Sequence, residues 1–221
     1  MTVQEALQQR YSCRIFLDAP VERGTLDAIF QDAFRTPSWA NSQPWDVYVA
    51  GQEEMQAIVQ GMQECRKQRL HTHLDLPFQG TWSAAAKGHM DRFFEEVYAC
   101  EERRNLDFTL QNRSLFHAPC CIFLTMERCL SAWSYYDIGA FSQSVMLSAT
   151  EHGLATIPAA VFVGYPDLIR RVLHIPQEKA VLVGIGIGYP DLTAKVNHLK
   201  TSRKPISEVV YCGSEFETKG E

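Results

Sequence analysis

Two arginines bracket a hydroxyl in Arg10-Tyr11-Ser12-Cys13-Arg14. Guanidinium forks match phosphate and carbonyl oxygens in bidentate geometry, and a hydroxyl can complete such a cradle. The same stretch also suits a solvated helix end with ordinary surface arginines. A second basic cluster stands far along the chain, where Asn197 is followed by Lys200, Arg203 and Lys204. Alone it reads as a solvated segment; with the first cluster it can pinch one phosphate between two distant parts of the chain.

A third stretch, Pro37-Ser38-Trp39-Ala40-Asn41-Ser42-Gln43-Pro44-Trp45, concentrates hydroxyls and amides between prolines. Asn and Gln each present a donor and an acceptor on one planar group, which suits the edge of a heteroaromatic ring. Flanking prolines lower the entropy lost in holding such a loop in one shape. An exposed turn is the alternative, which two tryptophans make less economical. Cys13, between arginines, is the one thiol whose neighbours favour a thiolate, but no histidine stands near it to serve as a base.

Other patterns carry less. Gly184-x-Gly186-x-Gly188 fails the spacing of a dinucleotide loop and reads as a strand needing close backbone approach. His71-x-His73 lacks further ligands at useful spacing, and the vicinal Cys120-Cys121 falls in an apolar strand where burial is expected. Neither a nucleophile-elbow GxSxG nor a P-loop occurs.

These residues sit in a chain of 221 with 26 acidic and 21 basic side chains, a net charge of −5. Such a length makes one large domain or two cramped ones, and 46% hydrophobic residues suffice for a core. The acidic balance argues against nucleic acid, which demands a basic face, yet leaves room for a locally bound anion. Seven cysteines with no CxxC pair make a poor disulfide framework and a poor zinc site. No apolar leader opens the chain and no run approaches the roughly 20 apolar residues of a membrane span, so the expectation is a protein of the cytoplasm with no membrane and no metal.

The elements that must position these groups are legible in outline. Thr2-x-x-Glu5 is a capping box for a short helix ending near Arg10, with Val3, Ala6 and Leu7 on one face. Thr25 is expected to cap a second helix carrying Leu26, Ile29, Phe30, Ala33 and Phe34 at helical spacing. Trp45–Ala50 alternates as a strand, and a helix over Glu53–Arg69 turns Met55, Ile58, Val59 and Met62 inward. Residues 71–88 have no clear period, while Ala84–Arg104 reads as a helix with Phe93, Phe94, Val97 and Tyr98 on one stripe. An apolar strand begins at Cys120. A helix over Ile138–His152 is apolar on nearly every side and ends at Gly153, so it is expected to be buried in a core or beneath a second subunit. A short strand at 160–163, a helix at 166–174 and a buried strand at 180–188 complete the pattern. Helices and strands mix without strict alternation, which favours α+β. The polar tail from Gly213 is expected to fray.

With these segments laid out, the sequence resembles the nitroreductase family of FMN-dependent oxidoreductases. The resemblance rests on RYSCR at 10–14, PSWANSQPW at 37–45 and NHLKTSRKPISEVV at 197–210, with DIGAFSQSVMLSATEHGLATIPAA at 137–160 and LIRRVLHIP then VLVGIGIGYPD over 168–191 following in order. It spans roughly residues 3–211 and is poorest over about 65–115, a variable insertion that in the family forms part of the substrate pocket.

The resemblance implies a single domain over 1–221 with an α+β fold: a three-layer α/β/α sandwich on a mostly antiparallel sheet, intertwined as a homodimer with flavins at the interface. It implies that Arg10, Ser12 and Arg203, with Lys200, hold the FMN phosphate and ribityl chain, and that Arg14 lies near the flavin's pyrimidine side. Tyr11 stands where many relatives carry a second basic residue, and Cys13 where a small aliphatic one is usual; both count among the cofactor-lining positions. Pro37, Ser38, Trp39, Asn41 and Gln43 come from the other subunit on this reading, Gln143 reaches the ring edge, and Pro158, Ala159 and Ala160 place backbone near the flavin N5. NAD(P)H is then the electron donor in a ping-pong reduction of nitroaromatic or quinone-like acceptors, with no catalytic side chain required. Phe78, Trp82 and Phe108 are candidates to cap a planar substrate, whereas Phe93 and Phe94 are expected to pack in the core. Dehalogenation, flavin or quinone reduction, or a flavin-binding sensor or storage role are the alternatives.

Overall fold

Thr2 opens the first helix as its pattern demands. Its hydroxyl accepts from the Glu5 amide at 3.2 Å, and the Glu5 carboxylate accepts from the Thr2 amide at 2.7 Å, which closes the capping box of α1, Val3–Gln9. The computed structural model describes residues 1–99 and 108–213. Along the chain follow α2 (Arg23–Ala33), β1 (Asp46–Ala50), α3 (Gln52–Lys67), α4 (Ala84–Ala99), α5 (Phe108–Arg113), β2 (Cys120–Glu127), α6 (Ala132–Glu151), β3 (Ala155–Ala159), α7 (Pro166–Leu173) and β4 (Lys179–Gly188). The strands form one sheet in the order β1-β2-β4-β3, and every pairing in it is antiparallel.

Alternation along β2 creates the layers. Cys120, Ile122, Leu124 and Met126 pack with Leu26 and Ile29 of α2 and with Ile138, Phe141 and Val145 of α6. Cys121 and Phe123 face the other way, toward Met55, Ile58 and Met62 of α3 and Leu168 and Ile169 of α7. Helices thus cover both faces of the sheet, the α/β/α sandwich expected. Each face is apolar because each is covered.

A bulge breaks the alternation of β4. Leu124 pairs with Val183 but Thr125 with Val181, so Leu182 is an extra residue in β4. Beyond it the parity flips, and Gly184, Gly186 and Gly188 all fall on the α3 side. A Cβ at Gly184 would lie 2.5 Å from Cβ of Phe162, and one at Gly188 would lie 2.6 Å from Pro119. The Gly-x-Gly-x-Gly run is the close-approach strand that its spacing indicates, not a phosphate loop.

Several boundaries differ from expectation. The cap of α2 is Glu22, with Thr25 inside the first turn. Helix α6 begins at Ala132 rather than Ile138, and its far end closes at Gly153 (φ 74°), where the amides of Gly153 and Leu154 reach back to Thr150 and Ala149 at 3.1 and 2.9 Å. Over the expected span Ile138, Phe141 and Val145 are inside, and the exposed large side chains, Trp133 and Tyr136, belong to the turns that precede it. Residues 160–163 form a 3-10 turn instead of a strand, because the chain dips after β3 to place Phe162 and Val163 in the core. Phe93 and Phe94 do not pack in the core either. Val97 is the one buried residue of α4; Phe93 is half-buried and Phe94 exposed. Residues 100–104 of the expected helix, and the tail beyond Gly213, lie outside the described residues.

The segment before α4 is tied down at its middle. The Asp75 carboxylate accepts from Arg128 at 2.7 Å, from the Val181 amide at 2.8 Å and from Arg170. Arg170, itself buried, also donates to Asp167 and to the Lys179 carbonyl. His73 lies 3.3 Å from Asp167, so His73 of the His71-x-His73 pattern belongs to this anchorage. Among the described residues no helix is long and apolar enough to cross a membrane.

Candidate functional site

The chain leaves α1 at Arg10 and runs extended beside the end of β3. The Cys13 amide donates to the Thr156 carbonyl at 2.9 Å, and Ser12 bridges Thr156 in parallel. This places Arg10, Ser12 and Arg14 on one side and drives Cys13 into the core. Its thiol is fully buried and bonds the Ile15 carbonyl at 3.2 Å. Burial pushes that thiol up to about 12. The expectation of a thiolate at Cys13 fails for this reason: desolvation outweighs the neighbouring arginine.

The distant basic cluster reaches the same place through Asn197, which is nearly fully buried. Its Oδ1 accepts from the amides of Arg14 at 2.9 Å and Ile15 at 3.3 Å. Its Nδ2 donates to the carbonyls of Ile15 at 2.7 Å and Asp191 at 2.9 Å. Asn197 therefore contacts no anion itself. It clasps the arginine segment to the strap at 199–204, and the strap carries the cations.

The result is a cavity of about 270 Å³ lined by Arg10, Tyr11, Ser12, Arg14, Lys200 and Arg203, together with Leu7, Gln8, Phe93, Leu199 and Thr201. Three guanidinium groups and one ammonium surround it, and no carboxylate lines it. Arg14 is 8% exposed, and among the described residues its guanidinium bonds only the Ser12 carbonyl, at 2.9 Å. Burial lowers its pKa. Arg10 is shifted down likewise, by burial and then by the charge of Arg203. Arg203 curls onto its own strap, donating to the Thr201 hydroxyl at 2.7 Å and the Ser202 carbonyl at 2.8 Å. Arg10 and Arg14, partly desolvated and with no carboxylate lining their cavity, are held at a cost that a bound anion would remove. Tyr11 adds a buried hydroxyl that has no partner among the described residues, with its phenol pushed up to about 12 by burial.

The other candidate positions lie apart from this cavity. In the Pro37–Gln43 loop, Ala40, Asn41 and Gln43 adopt left-handed backbone (φ 46°, 58° and 45°), a strained shape held by the Gln43 amide on Ser38 Oγ at 2.9 Å and the Trp39 amide on Asp137 at 3.1 Å. Its side chains are mostly exposed, Trp39 at 74%. Gln143 is half-buried on α6, and Pro158 and Ala160 are exposed just past the Thr156 bridge with Ala159 half-buried between them. Phe78 and Trp82 are exposed and line none of the cavity, while the Phe108 side chain lies outside the described residues. Phe93 does line the cavity, a role that its place on an apolar stripe concealed.

The model of the nitroreductase family matches residues 7–189. A 4-nitrobenzoate reductase of Pseudomonas putida is 28% identical over 181 residues, covering 80% of each chain. The crystal structure of an FMN and NADPH-dependent nitroreductase, NfnB, from Sphigopyxis sp. strain HMH superposes with a TM-score of 0.89 at 28% identity, over 96% of this chain and 99% of that one. The FMN-dependent NfnB of Mycobacterium smegmatis, solved in complex with NADPH, gives 0.84 at 26% identity, over 96% and 100%.

Proposed function

The chain belongs to the nitroreductase family, and on that premise we propose that it is an FMN-dependent oxidoreductase that takes electrons from NAD(P)H and reduces nitroaromatic or quinone-like acceptors by a ping-pong scheme. The observation that carries the reading is the cavity lined by three guanidinium groups and an ammonium with no carboxylate among its lining residues. Arg10, Lys200 and Arg203 would hold the flavin phosphate, Ser12 would add a hydroxyl, and buried Arg14 would place positive charge toward the reducible ring, where it favours the anionic reduced form. Bound FMN supplies the redox chemistry, so the chain's own residues bind and orient rather than exchange protons.

A cavity of about 270 Å³ falls below the usual ligand-pocket range of roughly 300–1,000 Å³. That supports a site completed by a second copy. Trp39, Trp133 and Tyr136 are each about three-quarters exposed, and the Trp39 amide is tied to Asp137 on the helix that bears the other two. An apolar surface of this kind marks an interface. On this reading the homodimer brings Pro37, Ser38, Trp39, Asn41 and Gln43 of one copy to the flavin of the other. The described cysteines are all free, which suits the cytoplasm.

The test is colour and turnover. Purified protein is expected to be yellow, dimeric, and able to oxidise NADPH or NADH when given 4-nitrobenzoate. Arg203→Ala is expected to weaken FMN retention roughly ten- to a hundredfold, the range for a charged hydrogen bond. Colourless protein that cannot be reconstituted refutes the cofactor. Yellow protein that no nicotinamide reduces leaves a flavin-binding sensor or store instead.

A further inference from the structure

A second cavity adjoins the first. It measures about 410 Å³ and runs between α4 and the strap, lined by His89, Met90, Arg92, Phe93, Glu96, Ser202 and Lys204 besides residues it shares with the first. Phe93, Thr201 and Arg203 line both. The two therefore form one basic trough divided at Arg203. In the second half Arg92 and Lys204 are exposed, and among the described residues neither makes a direct ion pair, although the charge of Arg92, like that of Arg203, acts on Glu96 one helical turn away. Its one acid, Glu96, is engaged by the Ser202 amide at 3.0 Å, a bond that pins the strap to α4.

We propose that this groove is a phosphomonoester subsite for the nicotinamide donor, with Arg92 and Lys204 taking the 2′-phosphate of NADPH and Met90 and Phe93 offering the adenine an apolar wall. The proposal rests on the reading that Arg10, Lys200 and Arg203 hold the flavin phosphate, and it adds that this chain prefers NADPH to NADH. Exposed cations gathered in an acidic chain collect a dianion more effectively than they stabilise the fold, since exposed ion pairs, Arg92 with Glu96 included, contribute little. An aromatic face beside them suits a purine, because stacking needs no particular ring substituent. A one-ring acceptor that carries its own carboxylate is the competing occupant. It must stack on the flavin ring, whereas the groove adjoins the cations assigned to the phosphate end.

The test titrates purified holoprotein at low ionic strength with adenosine 2′,5′-bisphosphate and with 5′-AMP by calorimetry. The bisphosphate is expected to bind at least tenfold tighter. In the double variant Arg92→Ala/Lys204→Ala that advantage should shrink roughly tenfold or more, in keeping with charge-assisted bonds. Flavin content, read by absorbance, should stay at the wild-type level, and the ratio of kcat/KM for NADPH over NADH should fall through KM. Equal affinity for the two nucleotides overturns the subsite, as does a bisphosphate affinity that the variant leaves unchanged. Loss of flavin from the variant reassigns the groove to the FMN phosphate. A raised KM for 4-nitrobenzoate with NADPH unaffected gives it to the acceptor. Wild-type protein that holds no flavin refutes the cofactor reading alone, since the calorimetry still reads the groove directly.

Discussion

Removing Asn197 tests whether a single buried amide holds the cofactor cavity together. In Asn197→Ala four backbone groups lose their partner: the amides of Arg14 and Ile15 and the carbonyls of Ile15 and Asp191. Each such bond contributes about 1 kcal/mol net, and the long Ile15 amide bond about half of that. The expected loss is therefore about 3–4 kcal/mol, a large part of a domain's stability. Asn197→Asp separates the two halves of the clasp. It keeps both accepting bonds and turns an oxygen toward two carbonyls, for a loss of about 2–3 kcal/mol. Urea unfolding of flavin-stripped protein is the assay, because bound cofactor would otherwise add its own stabilisation. Flavin affinity of each folded variant, followed by fluorescence, is the second readout and should weaken as the strap loses its shared anchor with Arg14. Stability of Asn197→Ala within about 1 kcal/mol of wild type refutes the energetic argument. Lost stability with unchanged flavin affinity refutes the positioning role.

Alkaline pH should destabilise the protein. Burial pushes the Cys13 and Cys120 thiols and the Tyr11 phenol up to about 12, so all are protonated when folded. Unfolded thiols and phenols titrate near ~8.5 and ~10. The unfolded chain then releases protons first, and the stability is whole below about pH 8.5 and lost as pH rises toward 12. Tm should hold from pH 7 to 8 and fall progressively above 9, less steeply in Cys13→Ala; a Tm flat to pH 10.5 contradicts this. Asp75→Asn should cost about 3 kcal/mol in urea unfolding, since it leaves buried Arg170 with the exposed Asp167 as its one carboxylate among the described residues, and a loss below about 1 kcal/mol would show the network to be slack. Gly184→Ala should destabilise by about 1–3 kcal/mol through the clash with Phe162. Gly24→Ala, with open space around it in α2, should be neutral or stabilising by up to about 1 kcal/mol; the opposite order would refute the packing account of β4.

What could be read in advance was what is local. The capping box at Thr2, the turn at Gly153 and the close-approach glycines all act within a few residues or through one strand's period, and they form as their spacing indicates. The boundary of α2 escaped because Glu22 makes no side-chain cap, so the nearby Thr25 offered a stronger pattern than the one used. Residues 160–163 are as apolar as a strand, and only the packing of Phe162 beneath β4 makes them a turn. Phe93 and Phe94 sit on a helical stripe of which, among the described residues, Val97 alone is buried, so the same pattern that marks a core helix marks a cavity wall here. The arginines at both ends were recognisable by type. The clasp at Asn197 was not, because its partners at Arg14 and Ile15 are over 180 residues away.

That separation also orders events during synthesis. A ribosome that has released Arg10 to Arg14 must still add more than 180 residues before Asn197 can close on them. Closing so long a loop costs little extra free energy, since the entropy grows only logarithmically, yet contacts this remote form late. A nascent or truncated chain can build both faces of the sheet and still present no cradle. Flavin uptake thus becomes a report that the polypeptide has been read through the strap, and a colour assay on truncations should switch on abruptly once the strap is included.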